Sequence, residues 1–265
     1  MKKLVVILIT LFSLPAFGAD IEVTIHVDGD YRPFSFSDEG KAKGMYIDVL
    51  RTAFSRMKGF NVKMEPVPWK RGKMIMKSGE GFGLAPAFFH GHDWPYLYPY
   101  SVPFYHEIII SVCQEKVLKS LRPNWPQDYI GLKIGNVAGF DGWGGVEFRK
   151  LVKQGEINYE ETKGSKENIL KLASGRFDCL MMEDKAFDYL FEQLKKSGRY
   201  QEGRNVALKK GAIIGPDPVS IGYSKPAIEA GKYSFHSEFM KSFDSEIYKM
   251  IKAGEIERIM DAYQD

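Results

Sequence analysis

Two aromatic residues stand where strand-like runs give way to polar loops: Tyr31 in DGDYRP and Trp69 in VPWKRG. Ring faces grip apolar or cationic groups with little loss of conformational freedom, so both are candidates for ligand contact. The competing reading is that they fill a core, as most aromatics do. Two acids, Glu183 and Asp184, follow the apolar run FDCLMM. An Asp ahead of a helical stripe suits a helix cap. The run HGHD sets His90 and His92 on one side of the chain with Asp93 beside them. Two imidazoles and a carboxylate suit a metal, but apart from His106 no further His or Cys lies nearby, so a polar loop without metal is expected. The glycines of AGFDGWGG read as a tight strand-to-helix turn. As a phosphate cradle that pattern is weak, and Asp141 within it would repel phosphate. No Ser, His and Asp stand in a nucleophile arrangement, so no catalytic residue and no cofactor are expected.

The elements that must carry these residues alternate between strand and helix. Ile21, Val23, Ile25 and Val27 mark the first strand; Ile47, Leu50, Phe54 and Met57 recur at helical spacing, and Gly59 ends that helix. A strand at Val62 and Met64, a short helix over 70–77, a strand over 84–89 and another over 107–112 follow. The rhythm then restarts with a strand over 132–137 and a helix through Val152. Ser165 is expected to cap a helix carrying Ile169 and Leu172; a strand over 177–182 and the stripe Phe187, Leu190, Phe191, Leu194 come next. Near the end, 219–224 reads as a strand and Phe235, Phe239, Phe243 and Ile247 as one face of a long helix. Such a βαβ rhythm builds a mostly parallel sheet with helices on its faces. Two α/β units of about 100 residues with a returning tail imply two lobes. The crossings are expected near 107–113 and 212–220.

The chain has 265 residues, 44% hydrophobic and 27% charged, which is the balance of a globular protein rather than a disordered or fibrous one. Lys and Arg number 37 against 34 acids, and with no concentrated basic run a nucleic-acid partner is not expected. Residues 1–18 read as a signal peptide: Lys2 and Lys3, an apolar run from Leu4 to Phe12, then Pro15, Ala16 and Gly18. Export makes a disulfide permissible. Cys113 and Cys179 are the two cysteines, each inside an apolar run, and the sequence leaves open whether they pair or remain small hydrophobes.

Four motifs in order resemble the bacterial extracellular solute-binding proteins of family three, the polar-amino-acid type. YRPFSFSDEGKAKGMYIDVL is similar to the family's opening, VPWKRG to its first-lobe aromatic, and YSVPFY to the stretch before its first crossover. SGRFDCLMMED and KAGEIERIMDAY are similar to its second-lobe strand and closing helix. The resemblance spans nearly the whole chain after residue 18. It implies an α/β protein with the two-lobed type II periplasmic-binding fold and two strand crossovers. Lobe 1 would occupy 19–110 and 215–265, and lobe 2 would occupy 111–214.

Carried over residue by residue, the resemblance puts Tyr31 and Trp69 on either side of the ligand. Where the family clamps a carboxylate with hydroxyl residues and an Arg, this chain has Pro86, Ala87, Phe89 and Trp94, and no Lys or Arg falls between Lys77 and Lys116. Phe140 and Asp141 stand where the family has Ser and Thr, and the amino-group acid falls on Glu183, or on Asp184 with one insertion. The expected ligand set is therefore Tyr31, Trp69, Phe89, Trp94, Phe140, Asp141, Glu183 and Asp184. Acids plus rings suit a cationic or neutral, partly apolar solute better than an acidic amino acid. The implied protein is a periplasmic monomer, not an enzyme, that hands a small solute to a membrane permease. The rivals are a dehydratase-like exported enzyme on the same scaffold and a sensor protein docking on a membrane receptor.

Overall fold

A computed structural model describes residues 19–90, 94–140 and 142–263. Segment 1–18, where a signal peptide is expected, His92 and Asp93 of the histidine run, and Asp141 lie outside the described residues. Among the described residues no helix is long and apolar enough to cross a membrane.

The first half opens with β1 (Ile21–Asp28), a small three-stranded sheet of β2 (Asp30–Tyr31), β3 (Ser35–Asp38) and β4 (Lys41–Lys43), then α1 (Met45–Arg56), β5 (Phe60–Val67), α2 (Trp69–Lys77) and β6 (Gly83–Phe88). After β7 (Leu97–Tyr100), the long strand β8 (Tyr105–Gln114) leads into the second half. That half holds two 3-10 turns (Glu115–Lys119 and Gln127–Tyr129), β9 (Lys133–Val137), α3 (Gly145–Lys153), β10 (Asn158–Thr162), α4 (Ser165–Ala173), β11 (Cys179–Glu183) and α5 (Asp184–Lys196). The 17-residue β12 (Leu208–Ser224) runs back into the first half, which α6 (Lys225–Glu229), α7 (His236–Lys252) and α8 (Glu255–Asp261) complete.

The strands form one path, β10-β9-β11-β8-β12-β6-β1-β5, with β7 on β12. Parallel pairs lie at the two ends, β1 between β5 and β6 and β9 between β10 and β11. The antiparallel pairs β8–β11, β8–β12 and β6–β12 join them in the middle. Crossing between lobes thus uses strands, and the expected limits at 110/111 and 214/215 fall inside β8 and β12. Lobe 1 packs its sheet under α1 and α7 through Phe54, Phe60, Phe82, Phe239 and Phe243, whose rings meet at 5.2–6.1 Å. In lobe 2, Trp125 stacks on Phe148 at 5.1 Å.

Cys113 and Cys179 face each other across the β8–β11 pair and are joined by a disulfide, with 3.9 Å between their Cα atoms. The question left open by the sequence is closed by strand pairing: antiparallel register sets the two thiols side by side.

Two cap assignments shift by one residue. Ser165 is the first helical residue of α4, whose cap position is Gly164, and no side chain caps it. Glu183, rather than Asp184, caps α5, its carboxylate accepting from the Ala186 N–H at 2.6 Å.

Candidate functional site

The site is built where β1, β6 and β9 end and face the opposite lobe. Asp28 closes β1 and is buried; its Oδ1 accepts the Asp30 N–H at 2.9 Å, and the Ser35 hydroxyl donates to its backbone carbonyl at 2.6 Å. The following turn aims Tyr31 inward. Its hydroxyl donates to Glu107 Oε2 at 2.7 Å, while the Tyr46 hydroxyl, from α1, donates to Oε1 of the same carboxyl at 2.8 Å. Glu107 lies on β8 and is fully buried; its cross-strand partner on β12 is Asp217. Asp217 Oδ2 in turn lies 3.7 Å from His90 Nε2.

Trp69 begins α2 and meets Trp94 edge-on at 5.8 Å; Trp94 meets the His90 ring at 4.7 Å. From lobe 2, the loop after β9 brings Phe140 edge-on to both Tyr31 (5.5 Å, 89°) and Trp69 (6.3 Å, 87°). Trp143 of the same loop packs on Phe140 at 4.9 Å and reaches Tyr31 at 6.2 Å and Phe88 at 6.3 Å. The lobes are therefore in contact, and the Lys73 ammonium of α2 ties them further, donating to the Gly139 carbonyl at 2.6 Å. Two glycines permit this approach. A Cβ on Gly142 would stand 2.4 Å from the His90 ring, and one on Gly164 would stand 2.7 Å from Asp30 Oδ2.

Between the lobes lies a small cavity of about 10 Å³, lined by Asp28, Tyr31, Trp69, Pro86, Phe88, His90, Trp94, Phe140, Gly142 and Trp143. The lining contains no Lys or Arg and one carboxylate, that of Asp28.

Of the expected ligand set, Tyr31, Trp69, Trp94 and Phe140 come together here. Phe89 does not: it is 61% exposed and packs on Tyr100 at 5.4 Å, and the preceding residue, Phe88, faces the cavity. Asp184 turns away as well and pairs with Lys210 at 2.6 Å on the surface. Glu183 is buried behind the rings as the α5 cap, close enough for its charge to act on Glu107 and Tyr31. Asp141 lies outside the described residues. Sequence reasoning missed Asp28, Phe88, Trp143 and Glu107. The signal for Trp143 was its place in the same loop as Phe140; for Glu107 it was a lone acid opening the apolar run EIIISVC.

Burial pushes Asp28, Glu183 and Asp217 up to about 7, each through loss of hydration. Loss of hydration, with the neighbouring Glu183 charge second, holds Glu107 well above the usual carboxyl range. Such acids bind more protons folded than unfolded between their unfolded values of about 4 and their raised native values, so stability must fall as pH rises through that interval. Urea midpoints should accordingly be higher at pH 5 than at pH 8, by an amount on the order of a few kcal/mol in unfolding free energy. Glu160, drawn down to about 2 by Lys133 and Lys171, acts below this window. A midpoint that climbs from pH 5 to pH 8 would overturn the assignment.

No protein-family model matches the sequence, and no curated protein is significantly similar to it. Solved structures are similar in fold. One is from the glutathione import system of Streptococcus mutans, GshT and the cystine ABC importer TcyBC (17% identity, 92% of this chain and 95% of that one, TM-score 0.70). Another is a histidine kinase sensor domain with similarity to periplasmic binding proteins (15% identity, 92% and 96% covered, TM-score 0.69). A third is AncCDT-1, an ancestral amino acid-binding protein and precursor of cyclohexadienyl dehydratase (14% identity, 91% and 94% covered, TM-score 0.65). At these identities the likeness is one of fold: the chain has the two-lobed type II architecture of periplasmic binding proteins.

Proposed function

We propose that this chain is a solute-binding protein that closes its two lobes on a small organic solute and delivers it to a membrane transporter, working in the periplasm and without catalysing a reaction. The observation that carries this reading is the cavity walled from both lobes, by Tyr31, Trp69, Phe88 and Trp94 on one side and Phe140 and Trp143 on the other. Hinge closure around a ligand is the usual motion of such architectures. The absence of Lys and Arg from the lining favours a cationic or neutral, partly apolar solute, because an unpaired carboxylate enclosed there would lose several kcal/mol of hydration. It also disfavours the dehydratase-like reading, which needs a carboxylate anchor. Glu107, the candidate general acid by burial, is turned to Tyr31 and Tyr46 rather than to the cavity.

Mass spectrometry of protein purified under native conditions should reveal a retained solute of low mass. The same compound, added back at about 100 times its dissociation constant, should raise unfolding free energy by about 2.7 kcal/mol. Trp69→Ala should weaken its binding by about 0.5–2 kcal/mol or more if the solute is a cation. Absence of any retained compound, together with no stabiliser among a broad set of metabolites at millimolar concentration, would sink the reading.

A further inference from the structure

Asp28 stands on the seam between the lobes. On one side it borders the small ring-lined cavity, which Phe140, Gly142 and Trp143 of lobe 2 help to wall. On the other it borders a wider inter-lobe groove of about 550 Å³, to which lobe 2 brings Val137, Ala138, Phe140 and Lys163. Asp28 is 2% exposed, and lobe 2 walls part of both spaces, so contact between the lobes keeps water from its carboxylate. Its side chain accepts the Asp30 N–H. Among the described residues no Lys or Arg is ion-paired with it, although Lys70 and Lys163 line the groove, and the Asp30 charge beside it is of like sign. His90 shares the cavity, with Asp217 Oδ2 at 3.7 Å from its Nε2.

A second pair of like charges meets nearby. A Cβ on Gly164 would stand 2.7 Å from Asp30 Oδ2 and 3.0 Å from Glu167 Oε2, so a carboxylate from each lobe converges on this glycine. Loss of hydration, with the Glu167 charge second, raises Asp30 from its ordinary value, while Arg32 and Lys166 pull the other way. The Arg32 guanidinium itself lies over the Phe36 ring at 3.7 Å. Asp30 and Glu167 both keep exposed surface, so salt screens their repulsion; the covered Asp28 is screened far less.

We propose that lobe closure is coupled to proton uptake at Asp28, with the Asp30–Glu167 pair adding a smaller push of the same sign. Hinge bending supplies the two states that protons bias. With the lobes apart, water reaches Asp28, and Asp30 stands clear of Glu167. With the lobes together, Asp28 either holds a charge out of water or takes a proton from solvent. The closed form therefore binds more protons than the open one. The closing equilibrium must fall as pH rises from the ordinary carboxyl value of about 4 to the value of about 7 that burial gives Asp28. Within that window each proton taken up changes the closing constant by about tenfold per pH unit. Acid shuts the cleft, and a neutral medium lets it open. Glu107 and Glu183 are neighbours through the β8–β11 pairing rather than across the seam, so their repulsion bears on folding rather than on closure.

Small-angle X-ray scattering tests this on the full chain, freed of any solute by unfolding and refolding, at pH 5, 6.5 and 8. The radius of gyration should grow from pH 5 to pH 8, reporting a fall of about tenfold or more in the closed-to-open ratio. An unchanged circular dichroism spectrum separates opening from unfolding. Asp28→Asn, which keeps an oxygen to accept the Asp30 N–H, should stay compact at pH 8 and lose most of the shift. Glu167→Gln should lose a smaller part, and only at low salt. Glu167→Lys, which sets opposite charges across the seam, should be more compact than the parent at pH 8. A radius of gyration equal at pH 5 and pH 8 in the parent overturns the proposal, as does a shift of full size in Asp28→Asn. Should Asp28→Asn not fold, the Glu167 variants decide: Glu167→Lys no more compact than the parent at pH 8 and low salt overturns it.

Discussion

Replacing Cys113 and Cys179 together by alanine should lower the unfolding free energy by about 4 kcal/mol, the largest loss expected from removing one covalent constraint. The two cysteines are 66 residues apart, and a cross-link closing a loop of that size takes about 4 kcal/mol of entropy from the unfolded chain in the loop-closure account. Both are fully buried, and the alanines fit the same positions with a small loss of packing. The closed loop encloses β9, α3, β10 and α4, so the cost should fall on lobe 2. Urea unfolding of the oxidised parent and the double variant reads the total. Hydrogen exchange should then show lobe 2 strands opening sooner than β1 and β5. A double variant within about 1 kcal/mol of the parent would show that the bond is not a principal constraint on this lobe.

Glu107→Ala should be nearly as damaging, at about 3–5 kcal/mol. The substitution strands two buried tyrosine hydroxyls, Tyr31 and Tyr46, each costing about 1–3 kcal/mol when unpaired, and leaves a cavity between the crossing strands. Glu107→Gln should lose far less, because an amide of the same shape still meets both hydroxyls, which can accept as well as donate. The glutamine variant should also flatten the fall in stability between pH 5 and pH 8, since it removes the most strongly perturbed acid of the cluster. An alanine variant as stable as the glutamine one would mean that the hydroxyls find water instead, and the hinge would need a different account.

Periodicity in the sequence located β1, α1, β6, β8, β9, α4, β11 and α7, each within a few residues. Apolar spacing is what burial against a sheet imposes: α1, α4 and α7 bury one face, while β6 and β11 are buried throughout. The elements missed are those with little apolar spacing to display. β10, NYEET, sits at the end of the sheet with its polar residues outward, and β2–β4 are too short to show a period. Only the last six residues of β12 read as strand. Upstream, Gly211, Gly215, Pro216 and Pro218 interrupt the pattern, and register shifts near Lys210–Gly215 absorb part of the irregularity.

The site was legible in outline for a related reason. Tyr31, Trp69, Trp94 and Phe140 follow strands, and strand ends face the cleft in open α/β folds. Phe89 lies outside the cavity, with Phe88 facing it instead, because a gapless count fixes neither strand parity nor the point where β6 ends. Asp28 and Glu107 went unread because their importance lies in what they lack or share across the fold. One faces the cavity without a cation, and the other serves hydroxyls that lie 61 and 76 positions away.

Gly142 and Gly164 sit on lobe 2 where a side chain would press on His90 and Asp30 of lobe 1. Any bulk added there acts as a doorstop. The rims could then no longer meet as they do here. A survey of variants scored by capture of a solute should flag both positions. These two glycines are therefore where closure is most sensitive to an added side chain.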